Sequence, residues 1–235
     1  MGRTLSSGGL GRHRGSPSLD RGSRTAPQTR KRIAAKSTKN TKIEPMNTPF
    51  LLPIEKPKGL IKNLVYAMTR KQFGKVPTPV KVHSARMPTA FGMFYGKIST
   101  LDKKLQLSRQ TVFLVREQVA RINVCLFCTD IGRFFAMKEA MSEAKFDALP
   151  EYSTSPLFTE AERAALDYVT ELTREKKVSQ GTFDRLAAHY SEREICEIIW
   201  LVATEHVYNL TNLGMNIHSD MLCDISRKAS AAALG

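Results

Sequence analysis

Val112-Phe113-Leu114-Val115-Arg116-Glu117-Gln118-Val119-Ala120-Arg121-Ile122-Asn123-Val124-Cys125-Leu126-Phe127-Cys128-Thr129-Asp130 reads as the end of one helix, a tight turn and the start of another. Val112, Phe113, Val115, Val119 and Ile122 recur at helical spacing, which predicts a helix over residues 109–122. A second helix is expected from 125 to about 141, so Cys125 and Cys128 fall at its start. Unpaired N–H groups and the positive dipole end at that place lower a thiol pKa from its ordinary value of roughly 8.5. The second cysteine, one turn in, is close enough to close a disulfide after one thiolate has attacked an oxidant or a substrate disulfide. The plain alternative is a buried structural pair that behaves as two small hydrophobes. A zinc site would need two more ligands nearby, and His189, His206 and His218 form no second pair, so no metal and no cofactor is expected.

The other apolar residues also keep helical spacing, and no run alternates with period two, which predicts an all-α chain. An extended strap carrying Pro49, Pro53 and Pro57 leads to a first helix over 59–73, with Leu60, Ile61, Leu64, Val65 and Met68 expected on its inward face. Gly74 and Pro77 should end that helix. A shorter helix is expected over 88–101, weakened by Gly92 and Gly96. After the cysteines come a short helical segment at 143–149 and a loop through Pro156. Thr159 with Glu162, and Ser191 with Glu194, have capping-box spacing; they open a helix to about 176 and a very apolar one to about 213. Ser179 caps a helix between them.

The net charge of +14 divides unevenly: residues 1–45 carry +9, 46–100 carry +8, and 101–235 carry −3. The portion that folds is therefore slightly acidic, and the basic first hundred residues hold no helix-turn-helix, zinc-finger or aromatic RNA-binding signature, so nucleic acid is not the expected partner. Residues 1–45 are too polar to offset chain entropy and read as a disordered basic tail. That tail suits an organelle transit leader, a basic arm, or an extension upstream of Met46. Residues 46–79 then form the strap and first helix, 80–225 the helical domain, and 226–235 a flexible end. Four cysteines and no signal-peptide core favour a reducing, cytoplasmic setting, and no apolar run is long enough for a membrane span.

The stretch from Leu107-Ser108 through Asn123 into Cys125-Leu126-Phe127-Cys128-Thr129-Asp130 resembles the carboxymuconolactone decarboxylase-like superfamily, and within it the alkylhydroperoxidase-D-like (AhpD-like) proteins. The resemblance implies a helical bundle, a homo-oligomer with the redox pair near a subunit contact, and thiol-dependent peroxidase or disulfide-reductase chemistry. The substrate would be a peroxide or a disulfide, and an external thiol reductant would restore the pair. Family members place a Glu twelve residues before the first Cys and a His four after the second, but those positions here are Phe113 and Gly132. Glu117, one helical turn beyond Phe113, is the candidate to move a proton to or from Cys125. His206, or Glu205 beside it, is the candidate replacement for the His. Cys125, Cys128, Glu117 and His206 are thus the expected site. Phe91, Phe94 and Tyr95 suit either a substrate entrance or plain core, and Cys196 and Cys223 are expected to be inert. The competing reading is a non-catalytic helical oligomer with a merely structural cysteine pair.

Overall fold

In the computed structural model, which describes residues 48–139, 141–225 and 227, the chain forms eight α-helices and no strand among the described residues. They are α1 (Leu60–Phe73), α2 (Phe94–Asp102), α3 (Arg109–Ile122), α4 (Leu126–Lys138), α5 (Glu143–Asp147), α6 (Glu160–Glu175), α7 (Gln180–Ala187) and α8 (Glu192–Leu213). The expected basic tail over 1–45 and, Arg227 apart, the C-terminal stretch over 226–235 lie outside the described residues. No helix of the described residues is long and apolar enough to cross a membrane.

The middle of the bundle is α3. Every residue from Thr111 to Ala120 except Arg116 is buried, which a helix tolerates only where its neighbours enclose it on all sides. Those neighbours are α4, α6 and α8. Val112, Val115 and Val119 of α3 pack with Ala165 and Val169 of α6 and with Ile198, Leu201 and Val202 of α8. Burial of each large aliphatic side chain contributes about 1.5–3 kcal/mol before entropy is counted. Both capping boxes form as the spacing predicts: Thr159 and Ser191 accept from the third-residue backbone N–H while Glu162 and Glu194 reach back. Ser179 and Ser108 cap α7 and α3.

Two readings of the sequence need correction. The helix expected over 88–101 is a π-helical turn, Pro88–Met93, that passes into α2, and a second such turn, Val80–Ser84, precedes it. In the first of the two turns the Ala85 N–H reaches the Val80 carbonyl five residues back. The second correction concerns α1. Its predicted inward face, Leu60, Ile61, Leu64, Val65 and Met68, is exposed in the single chain, and Tyr66 and Phe73 are its buried residues. The reason lies in what α1 packs against. Tyr66 Oη donates to the Ile54 carbonyl of the strap at 2.6 Å, and Phe73 enters the apolar cluster around the cysteines. Periodicity fixes that α1 has an apolar face but not what that face meets.

The segment after α8 is fastened across the cysteine helix by one carboxylate. Asp130 of α4, buried, accepts the backbone N–H groups of Asp220, Leu222 and Cys223 at 2.9–3.0 Å. Asp220 in turn accepts from the Thr78 backbone and hydroxyl and pairs with Lys75. The loop after α1, the turn after α8 and the cysteine helix are therefore joined through two aspartates. Removing the Asp130 carboxylate would strand three amide donors, each at about 1–3 kcal/mol if buried.

Candidate redox site

The turn between α3 and α4 is one of the tightest ways to join two helices. Val124 adopts a left-handed conformation with φ 56°, its N–H bonds to the Arg121 carbonyl, and the Cys125 N–H bonds back to the Ala120 carbonyl at 2.9 Å. This is a Schellman closure, normally built on glycine. A β-branched residue there costs about 1–2 kcal/mol. Cys125 ends α3 and at the same time caps α4, its Sγ accepting the Cys128 N–H at 3.4 Å. Asn123, the other polar residue of the turn, donates to Asn209 of α8 at 2.8 Å. Asn209 bonds Glu205, which pairs with Arg116, which also pairs with Asp102, so the turn hangs on a buried polar chain between α3 and α8.

Cys125 and Cys128 are joined as a disulfide with Cα atoms 5.3 Å apart. Cys125 is fully buried and Cys128 is 5% exposed. Phe73 of α1, Val82 of the first π-helical turn, Phe134 of α4, and Ile217 and Leu222 of the segment after α8 enclose them. Asn212 of α8 points its amide at Cys128 Sγ, 3.4 Å away. Each sulfur thus faces an N–H donor, a backbone one for Cys125 and a side-chain one for Cys128, which is the arrangement that stabilises a thiolate once the bond is reduced.

Glu117 projects from α3 onto α4 one turn beyond Cys128. A Cβ placed on Gly132 would lie 3.2 Å from its Oε2, so the carboxylate occupies the room over the position where the family that the sequence resembles carries a His. Glu117 is 2% exposed and neither oxygen receives a hydrogen bond; Arg133 Nε stands 3.5 Å from Oε1 and also pairs with Asp147. Burial pushes the Glu117 carboxyl up to about 8, against the pull of Arg133 and Arg121. A carboxyl that gains or loses a proton near neutrality one helical turn beyond Cys128 has the chemistry that proton transfer requires.

His206 is not brought to the disulfide side. Its Nδ1 lies 3.0 Å from the Val202 carbonyl and its Nε2 3.3 Å from Lys176 Nζ at the end of α6, so both ring nitrogens are engaged there. Glu205, its neighbour, is spent on Arg116 and Asn209. Of the expected aromatic trio, Phe91 and Tyr95 are half-buried and Phe94 is exposed; Tyr95 meets Tyr208, itself packed against the cysteine cluster. Burial and Asp130 push the Cys223 thiol up to about 11, whereas Cys196 is an exposed free thiol of α8. One residue beside the pair escapes a reading of the sequence: Asn212 belongs to no spacing motif, and only the packing of α8 brings it to Cys128.

No family model matches the sequence. The uncharacterised Escherichia coli protein YnjA is 29% identical over 163 residues, spanning 68% of this chain and 89% of YnjA. Among solved structures, a protein of unknown function from Agrobacterium tumefaciens, described as a candidate antioxidant defence protein AhpD, is 24% identical with a TM-score of 0.55, covering 59% of this chain and 95% of that one. A cysteine-to-alanine variant of the debrominase Bmp8 bound to 2,3,4-tribromopyrrole is 21% identical with a TM-score of 0.63, covering 78% of this chain and 98% of that one. The chain has the AhpD-like fold.

Glu117 gives the site a pH signature. In the unfolded chain its carboxyl has the ordinary value of 4.5, and in the folded chain about 8, so the folded state keeps a proton that the unfolded state has lost in between. Stability from this group is whole below the lower value and drains away as pH rises through the upper one. The melting temperature of the wild type is therefore expected to fall between about pH 6 and pH 9 relative to Glu117→Gln, which keeps a neutral side chain throughout. Parallel curves for the two proteins would show that the carboxyl is not held neutral.

Proposed function

We propose that this AhpD-like chain is a thiol-dependent oxidoreductase of peroxidase or disulfide-reductase type, cycling Cys125 and Cys128 between dithiol and disulfide. The observation that carries the reading is the disulfide itself, set at the start of α4 with an N–H donor on each sulfur. Such donors favour the thiolate, which is the attacking form. Cys128, with its residual exposure and the Asn212 amide, meets the substrate, and Cys125 resolves. With a hydroperoxide, the Cys128 thiolate attacks oxygen, the O–O bond breaks, and a sulfenic acid and an alcohol result. Cys125 then displaces the hydroxyl as water and the disulfide closes; a thiol reductant supplies the two electrons and two protons that reopen it. Glu117, on the α3 side of the pair, takes and returns the Cys125 proton in this scheme.

Support from relatives is of the same kind: a fold neighbour described as a candidate antioxidant defence protein has this architecture. The near-complete burial of the sulfurs favours small substrates over large protein disulfides. The exposed apolar face of α1 suits a second copy of the chain, since exposed apolar patches of that kind mark contacts. Light scattering is expected to find more than one chain per particle, and Ile61→Glu with Leu64→Lys to reduce the count; a single-chain wild type would remove the homo-oligomer from the scheme.

Consumption of a small organic hydroperoxide and of a small disulfide, each with dithiothreitol as reductant, tests the reading. Wild type is expected to turn over at least one of them, Cys128→Ser to lose the activity by about a hundredfold or more, and Cys125→Ser to stall after a single oxidation. Equal rates for the three proteins would favour the non-catalytic oligomer.

A further inference from the structure

Asn209 and Asn212 stand three residues apart on α8, and each is bonded to a different part of the cysteine turn. Asn209 is fully buried. Its Oδ1 accepts the Asn123 amide at 2.8 Å, and its own amide donates to Glu205, which Arg116 holds from the other side. Asn123 precedes Cys125 by two residues, so this bond fastens the end of α3 to α8. Asn212 is 5% exposed; its amide lies 3.4 Å from Cys128 Sγ and its Oδ1 has no hydrogen-bond partner. A buried amide is almost always bonded, and the sulfur is the acceptor that this one has among the described residues.

The two bonds respond differently when the disulfide opens. Val124, between Asn123 and Cys125, is a β-branched residue in the left-handed region, a conformation that lasts only where its surroundings over-determine it. A disulfide confines its two Cα atoms to a narrow range of separations, whereas a dithiol sets no such limit and lets the turn relax. Holding the turn through Asn123 therefore stabilises the closed form more than the open one. The Asn212 amide works the other way. An N–H bonds a neutral sulfur weakly and a thiolate strongly, so it stabilises the reduced form, and only after Cys128 has lost its proton.

We propose that α8 sets the redox balance of the pair through these two asparagines, which pull in opposite directions. Asn209 is a positioning residue that acts through Asn123 and favours the disulfide, while Asn212 acts on Cys128 Sγ and favours the open pair. The proposal rests on the redox reading above and adds to it the groups that fix how readily the pair gives up its electrons. In the exchange that reads this balance, the dithiol passes two electrons and two protons to oxidised dithiothreitol, and the S–S bond of the chain forms as that of the reagent opens. Where Cys128 is a thiolate, one of those protons has already gone to solvent. The Asn212 contribution therefore grows with pH, and the Asn209 contribution does not.

The equilibrium constant for this exchange is measured in the folded full-length chain with graded dithiothreitol mixtures from about pH 5 to 9, read by mass after acid quenching. In Asn209→Ala and in Asn123→Ala, which break the same bond, disulfide formation is expected to be about fivefold less favourable at every pH, the worth of one hydrogen bond. The double variant should fall no further. In Asn212→Leu it should equal the wild type at about pH 5 and be about tenfold more favourable at about pH 9, as for a thiol pKa raised by about one unit. Gln118→Leu removes a 2.8 Å bond from α3 to Thr170 of α6, away from the turn; it should lower the melting temperature and leave the constant alone. Constants in Asn209→Ala and Asn123→Ala that match the wild type overturn the proposal. So do an Asn212→Leu shift of one size at every pH and a Gln118→Leu shift as large as that of Asn209→Ala. If Asn209→Ala does not fold, Asn123→Ala breaks the bond from its half-buried end, and Asn212→Ser likewise stands in for Asn212→Leu. A wild-type pair that never opens in the folded chain overturns the redox reading and the proposal with it; a pair that opens in the wild type and is unmoved in the variants overturns the proposal alone.

Discussion

The Cys125 N–H bonded to the Ala120 carbonyl is the contact on which the site depends. It closes the central helix of the bundle and at the same time seats the residue that caps the next one. Because α3 is held on all sides by α4, α6 and α8, its C-terminal end has little freedom, and the cysteine pair inherits that rigidity. The left-handed Val124 shows that the tightness of the turn outweighs a backbone cost of about 1–2 kcal/mol. Strain of this kind persists only where the surrounding structure over-determines it.

The redox reading proposed for the buried pair requires protons to move within a closed interior. Closure comes from both ends of the fold. Phe73 and Val82 arrive from the N-terminal side, and Ile217 and Leu222 from the segment that Asp130 pins to α4 through three backbone amides. The proton problem follows from the closure, since sulfurs shielded from water cannot exchange with it freely. A carboxyl pushed up to about 8, that of Glu117, lies against α4 one turn beyond Cys128. The carboxylates of Glu205, Glu162 and Glu197, although buried, are each committed to an arginine, a lysine or backbone amides and have no such freedom.

Much of this was legible in the sequence because it is local. Capping boxes at Thr159 and Ser191, the helical stripe of α3, and the placement of Cys125 at a helix start each depend on residues within a few positions of one another. The position of Glu117 against α4 was legible for the same reason, being one turn from Phe113 on the helix that leads into the cysteines. What escaped is non-local. His206 reads as polar company on an apolar helix, but whether it faces the cysteines depends on the rotation of α8, and the helix turns it towards Lys176. Asn212, two turns further along α8, faces Cys128 instead. The apolar face of α1 was visible as a stripe, and its exposure was not, because a stripe does not say what will cover it.

The most direct measurement is the redox equilibrium of Cys125 and Cys128 in the native chain, poised at neutral pH with graded mixtures of reduced and oxidised dithiothreitol and read by mass after acid quenching. A redox-active pair should open and close fully and reversibly in one two-electron transition while the helical signal is unchanged. A disulfide that opens only when the chain is unfolded, or a dithiol that does not close again, would make the pair a structural staple and contradict the redox assignment.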